Sequence, residues 1–296
     1  MSLFSIIFRN KCAKSDAKRD EGLEIPADVE YVRDIRYGNI KEYHTLDICW
    51  PKPADGEANP EKLPVIISVH GGGYVYGNKE VYQFYAASLA QKGFTVINFN
   101  YRLAPKYKFP SPLEDLNAVI LWMMKNQDVY PIDTENVFLV GDSAGAQIAC
   151  QYGVIYSDKE YRQIMGFRKP KIKIRALGFC CGTYNLKSRI AKEGGSGITG
   201  DYLGKNPYSF GEKLDITEHI TKEYPPVYMF SSKGDILLDE CQPMAELLRS
   251  RDVVCEYKIY GDESTGHVFH VNMRDEFGAE ANKDQTEFFK SYISKA

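Results

Sequence analysis

The stretch that most restricts how this chain can fold is residues 137–145, Val-Phe-Leu-Val-Gly-Asp-Ser-Ala-Gly. Four apolar residues, two of them β-branched, suit a buried parallel strand, and the run ends abruptly in two glycines that flank a serine. Residues 146–156 then carry Ile148, Tyr152 and Ile155 at helical spacing, so the chain reads as strand, sharp turn, helix. A residue on so tight a turn is held in strained backbone, and its neighbours two before and two after must lack bulk. Gly141 and Gly145 meet that demand. Ser143 is thereby pushed out at the carboxyl end of the sheet, with the Ala144 amide at a helix amino terminus facing any negative charge that develops there.

Other runs extend the pattern. Residues 65–69 predict a buried strand that stops at His70 and three consecutive glycines, Gly71, Gly72 and Gly73. Glycine there frees backbone amides, and freed amides beside a serine elbow can complete an oxyanion hole. A helix over 80–92, a strand over 94–99 and a helix beginning near Pro112 lead back to the elbow strand, proline being well placed at a helix start. Beyond the elbow, strands are expected at 174–180, 227–231 and 255–260, with helices over about 240–250 and 279–294. Strands alternating with helices predict an α/β fold with a mostly parallel, doubly wound central sheet and helices on both faces.

Residues 29–37 and 43–50 alternate apolar and polar residues around Gly38 and Asn39, the pattern of an antiparallel hairpin at the sheet edge. Residues 51–64 hold four prolines and read as a loop. The stretch 183–224 is polar, rich in glycine and too long for a simple crossover, which predicts a lid or cap.

Composition narrows the function classes. With 296 residues and 44% hydrophobic content, one domain with a sizeable core is feasible over 1–296. A net charge of −3 offers no basic face for nucleic acid. The seven cysteines, odd in number and without a C-x-x-C pair, read as buried thiols in a reducing, cytoplasmic setting. No run approaches the ~18 apolar residues of a membrane span. Residues 1–9 are apolar but have no leading basic residues and no small-residue cleavage pattern, so they are not read as a signal peptide. The expectation is a flexible end or a helix packing its apolar face on the protein, with a membrane-surface anchor as the alternative. Charged residues 9–28 read as a solvated helix or loop ending at Pro26.

A serine hydroxyl becomes a nucleophile only when a base takes its proton, and that base needs a carboxylate to hold its tautomer. Asp235 follows the strand at 227–231 and His267 follows the strand at 255–260, each at a carboxyl end. Asp239 is a rival acid placed where the next helix begins, and His270 a rival base in the same loop.

With these residues in place, the sequence resembles the hormone-sensitive-lipase-like esterases of the α/β-hydrolase fold. The resemblance rests on His70 with Gly71, Gly72 and Gly73, on Tyr101-Arg102-Leu103-Ala104-Pro105, and on Phe109-Pro110 with Asp115. It continues through Gly141-Asp142-Ser143-Ala144-Gly145, Asp235 with Leu237 and Asp239, and His267 with Phe269. It implies Ser143 as nucleophile, His267 as general base, Asp235 as its orienter, and the amides of Gly72, Gly73 and Ala144 as the oxyanion hole. It also implies a cap built from about residues 1–38 and 183–224. Three departures stand out: Lys106 where the family usually has an acid, Ile236 for a frequent proline, and an apparent extra loop at 262–266 before the histidine.

The expected function is hydrolysis of a small-molecule ester of short acyl chain through an acyl-enzyme, with no metal or organic cofactor implied. His70 is read as structuring its loop, there being no second ligand at zinc spacing. An amidase, peptidase or sugar deacetylase would use the same triad, and a receptor of the plant gibberellin type would keep the fold without the histidine. The activity is expected to fall below roughly pH 6–7 as the imidazole protonates.

Overall fold

The computed structural model describes residues 1–53 and 62–294. Most of the proline-rich loop expected at 51–64 therefore lies outside the described residues. Eight strands form one sheet: β1 (Val29–Arg36), β2 (Thr45–Pro51), β3 (Leu63–Val69), β4 (Thr95–Phe99), β5 (Ile132–Asp142), β6 (Ile174–Cys180), β7 (Val227–Ser232) and β8 (Cys255–Tyr260). Their order is β1-β2-β4-β3-β5-β6-β7-β8, parallel from β4 onwards, with β1 and β2 antiparallel at one edge. The α/β-hydrolase architecture expected from the sequence is the one found.

The central strands are apolar along their whole length because both faces are covered. In β3 and β5, Val65, Ile67, Val137 and Leu139 face one helical layer, α3 (Ser111–Lys125), α4 (Ala144–Ser157) and α8 (Leu238–Ser250). The intervening Ile66, Phe138 and Val140 face the other, α2 (Gln83–Ala90) and α9 (Glu276–Ser291). Period-two alternation thus feeds two cores rather than one core and solvent. A short helix α5 (Lys159–Met165), which the sequence reading passed over, is capped by the Asp158 side chain and ends at Gly166 in the left-handed region.

The chain leaves β3, crosses through α2 to β4 on one side, and returns through α3 to β5 on the other. Such a reversal opens a crevice at the strand carboxyl ends. Pairing fixes what lies there, because Val69 is opposite Gly141, so the residues after β3 and β5 emerge side by side. A Cβ on Gly145 would overlap the Val69 carbonyl oxygen, and one on Gly141 would overlap the Gly145 carbonyl. Both glycines are dictated by packing as well as by the turn.

Over the crevice lie residues far apart in sequence. Helix α1 (Leu3–Asp20) packs on α7 (Gly197–Leu203), and the Ser2 hydroxyl donates to Asp201 Oδ2 at 2.9 Å. Residues 29–36 of the expected amino-terminal cap element are instead strand β1, paired with β2. The cap range of about 1–38 implied by the resemblance therefore overlaps the sheet edge, which the alternating side chains of 29–36 complete. The region 183–224 holds α6 (Leu186–Glu193), α7 and two 3-10 turns. It also buries Leu186, Ile190, Tyr202, Leu203, Ile216 and Ile220, more apolar surface than its composition suggested. The helices there are only about two turns long, which leaves no sustained period to read.

Asp115, 1% exposed, ties three segments together. It accepts from the Arg102 amide at 2.7 Å and Nε at 2.8 Å, and its other close neighbour is His44 Nε2 at 3.2 Å. Lys106, the departure from the family pattern, pairs instead with Glu42 at 2.8 Å on the surface, where an ion pair contributes little. Removing one partner of a buried pair leaves the rest uncompensated, so Asp115→Ala should lose about 3 kcal/mol of stability. A urea unfolding curve should show a lower midpoint with unchanged slope. A midpoint equal to that of the wild type would mean the cluster does not hold the fold.

Candidate active site

Ser143 stands between β5 and α4 with φ 51° and ψ −117°, the strained elbow conformation expected from its flanking glycines. Its amide donates to the Cys180 carbonyl at 3.0 Å, which pins the turn to β6. Residues 72 and 73 follow β3 with φ of 105° and 58°, backbone that favours glycine. The Val75 and Tyr76 amides both close on the Gly72 carbonyl. Among the described residues, neither the Gly72 nor the Gly73 amide has a backbone acceptor.

Asp235 lies in the turn after β7 and His267 in the loop after β8. His267 Nδ1 is 2.6 Å from Asp235 Oδ1, and the same carboxylate accepts from the Ser231 hydroxyl at 2.5 Å and the Leu237 amide at 3.0 Å. These donors favour the ionised acid and hold it below its usual pKa against the opposing effect of burial. Burial alone would also make His267 a weaker base, but Asp235 and the neighbouring Cys181 outweigh it, and the pKa is pushed up to about 10. The Cys181 sulfur lies within 4.8 Å of ligand atoms of both residues.

The loop 262–266, extra relative to the family pattern, is what docks His267. The Gly234 amide donates to the Thr265 carbonyl at 3.2 Å and the Ser232 hydroxyl to the Gly266 carbonyl at 3.0 Å, so the loop lies on the turn that carries Asp235. The rivals fall elsewhere. Asp239 is exposed in the first turn of α8. His270 is buried among Tyr85, Phe230 and Phe269, and its pKa is pushed down to about 3 by that burial, with Arg19 and His267 adding to the effect. His70 is likewise buried, stacks on Tyr101 at 4.0 Å and sits 2.8 Å from the Gly71 carbonyl, so it braces the glycine loop.

Ser143, His267, Gly72, Gly73 and Ala144 all line one cavity of about 730 Å³. Its further wall is helix α1, which contributes Phe4, Phe8, Lys11, Cys12, Asp16 and Arg19, with Ile198 of α7 and Ile236 at the rim. Arg19 pairs with Asp16 at 2.9 Å and donates to the Val81 carbonyl at 2.7 Å, while the Tyr76 hydroxyl donates to Asp16 at 2.8 Å. A charged residue thus latches the helix to the segment that follows the glycine loop.

Two buried residues that carry no role in the sequence reading connect the glycine loop to the elbow. The Tyr82 hydroxyl accepts from the Gly71 amide at 2.9 Å and donates to Asp142 Oδ2 at 2.7 Å. A Cβ on Gly71 would overlap that same carboxyl oxygen. Burial pushes Asp142 up to about 7 although Tyr82, His267 and the Gly71 amide all oppose it. A carboxyl driven towards its neutral form repels an anion at the glycine loop less than an ionised one would. Asp142 is visible in the elbow motif, but nothing in the sequence couples it to a tyrosine sixty residues away.

Comparison with known proteins follows the same lines. The BD-FAE family model matches residues 46–249. This chain belongs to the BD-FAE family. An acetyl esterase of Salmonella schwarzengrund (strain CVM19633) is 27% identical over 245 residues, spanning 78% of this chain and 73% of that protein. Esterase B from Lactobacillus rhamnosis, solved with a C4-C4 SN3 tributyrin phosphonate inhibitor, superposes with a TM-score of 0.86 at 21% identity. The match covers 97% of this chain and 94% of that one. A thermophilic carboxylesterase cloned from a metagenomic library, EstE1, gives 0.76 at 19% identity over 98% of each chain. These matches agree with the resemblance to hormone-sensitive-lipase-like esterases drawn from the motifs.

If Tyr82 holds the glycine loop of this BD-FAE protein to the elbow, Tyr82→Phe orphans the Gly71 amide and removes a donor from Asp142. An unsatisfied buried group costs about 1–3 kcal/mol, so kcat should fall roughly ten-fold with KM little changed. Steady-state kinetics on a soluble ester, with folding checked by circular dichroism, reads this directly. A wild-type kcat would assign Tyr82 to packing alone.

Proposed function

We propose that Ser143, His267 and Asp235 act as a catalytic triad on carboxylic esters, with the amides of Gly72, Gly73 and Ala144 receiving the oxyanion. The protein is a serine carboxylesterase. The observation that carries the residue roles is the 2.6 Å contact of His267 Nδ1 with a buried carboxylate, on the wall of the cavity into which the strained Ser143 opens.

In this reading His267 Nε2 takes the proton as Ser143 Oγ attacks the ester carbonyl, forming a tetrahedral intermediate whose negative oxygen sits against the three amides. Collapse expels the alcohol, which leaves with the proton from His267, and an acyl-serine remains. Water, deprotonated by the same imidazole, then releases the acid and restores the serine. Asp235 keeps Nδ1 protonated throughout and stabilises the imidazolium. Helix α1 and residues 183–224 form the cap, and no helix among the described residues is long and apolar enough to cross a membrane. All seven cysteines are free thiols, six of them buried, which supports a cytoplasmic place of action.

Short acyl chains fit best. Phe4, Phe8 and Ile198 give the cavity apolar walls, but about 730 Å³ must hold acid and alcohol portions together, within the range of small-ligand sites. Over a series of aryl esters, catalytic efficiency should peak between two and about six acyl carbons, because each buried methylene gains ~0.8 kcal/mol only until the wall is met. Ser143→Ala should lose on the order of a million-fold in kcat on the best of them. A mutant retaining a tenth of the wild-type rate would remove Ser143 from the mechanism, and a rate still rising at long chains would remove the chain-length limit.

The pH profile carries a second test. His267 must be neutral to accept the serine proton, and its pKa is raised by Asp235 and Cys181, so a higher pH is needed to free it. The acid limb should therefore lie above the ordinary imidazole value of 6.5, higher than the pH 6–7 expected from sequence. Asp235→Asn should move that limb down and cost roughly 10⁴ in kcat. A limb that stayed in place in that variant would separate Asp235 from the base.

A further inference from the structure

Helix α1 presents a mixed stripe to the protein and, over its first two turns, an apolar face away from it. Ser5, Phe8, Cys12, Asp16 and Arg19, spaced by three and four residues, are turned towards the protein. Leu3 (73% exposed), Ile6 (44%) and Ile7 (59%) are turned away from it, with Met1 (44%) and Phe4 (61%) beside them. The inner stripe already seats the helix on its own domain through Phe8, Asp16 and Arg19, so the outer apolar face has no intramolecular use. Contiguous exposed apolar surface of this kind marks an interaction site. It is also continuous with the cavity, since Phe4 and the 80% exposed Ile236 both stand at its mouth.

Charge identifies the occupant. Residues 1–15 carry Arg9, Lys11 and Lys14 and no acid, in a chain whose net charge is −3. All three are exposed, and Lys14 follows Ile7 by seven residues, on the same outer face. Exposed leucine and isoleucine with flanking Lys and Arg on one short helix is the composition of a segment that lies in the plane of a lipid interface. A second copy of the chain fits less well, because a two-fold pairing of this face sets Lys14, with Arg9 and Lys11 at its flanks, against the same cations.

We propose that the outer face of α1 docks the protein on an anionic lipid surface with the cavity mouth facing that surface, so that esters dissolved in the lipid enter without crossing water. The orientation rests on the esterase reading of the cavity, whereas the docking itself does not.

The test uses the full chain and vesicles of phosphatidylcholine alone or mixed with phosphatidylglycerol, with binding read by flotation. Binding to the mixed vesicles should be roughly a hundred-fold tighter at low salt, the effect expected of three surface cations, and should weaken as salt is added. The double variant Leu3→Ser, Ile7→Ser changes residues outside the cavity lining. It should lose flotation while hydrolysing a water-soluble aryl ester at the wild-type rate, which also shows that it is folded. Lys14→Glu should weaken flotation on the mixed vesicles alone. Equal binding to both lipids, or flotation unchanged in the double variant, overturns the proposal. So does a dimer seen by sedimentation velocity that the double variant dissolves while the wild type ignores vesicles, since that assigns the face to a second copy. A protein that floats but hydrolyses nothing would keep the docking and remove the esterase reading.

Discussion

The site depends on one backbone pairing, Val69 opposite Gly141, which sets the ends of β3 and β5 side by side. The glycine loop through Gly73 and the elbow through Ala144 leave these strands within four residues of that pair. The approach is so close that Gly145 has the Val69 carbonyl where a side chain would begin. Parallel strands paired in register convert two sequence motifs seventy residues apart into a single pocket wall. No side chain is needed to recruit them. What side chains do is refine the result, through Tyr82 between the glycine loop and the elbow and through Tyr101, whose hydroxyl donates to the His70 carbonyl at 2.9 Å.

A second constraint is the burial of polar groups around that wall. Asp235, Asp142 and His70 are each less than a tenth exposed, and each makes a hydrogen bond, although the buried His70 Nε2 has no partner among the described residues. Burial pulls these groups in different directions according to what faces them. Asp235, with three donors, stays ionised below the usual range, whereas Asp142 is driven towards its neutral form. Two carboxyl groups near one imidazole are thus pushed in opposite directions, one towards the ionised and the other towards the neutral form.

Much of the central fold was legible because local and global signals agree there. The runs at 65–69 and 174–180 are mostly apolar and that at 255–260 alternates apolar with charged residues, and all three appear as strands within two residues of the expected bounds. The elbow was legible for the same reason, since glycine at 141 and 145 answers a backbone demand that sequence displays directly. Legibility failed where structure is made of contacts between short or distant pieces. Helices α6 and α7 are too brief to show a period, and the sequence of residues 183–224 hides a buried face that includes Tyr202 stacked 3.8 Å over Tyr74. The resemblance implied an amino-terminal cap but not which of its residues face the cavity, because the inner stripe of α1, Ser, Phe, Cys, Asp and Arg, does not look like a packing surface until Asp201, Tyr76 and the Val81 carbonyl are brought to it. The loop 262–266 looked like a disturbance of register and is the element that fastens His267 to the turn carrying Asp235.

Helix α1 has a consequence for how the protein comes into being. It is made before the groups that receive it, which are residues 76 and 81 beyond β3 and residue 201 of α7. Until residue 201 has been made, the helix has only part of its seat, and its apolar outer face and its inner stripe are both open to the surroundings. The nascent chain therefore carries an open crevice and an unseated helix over most of the synthesis of this domain, and the wall can close before residue 267 is made.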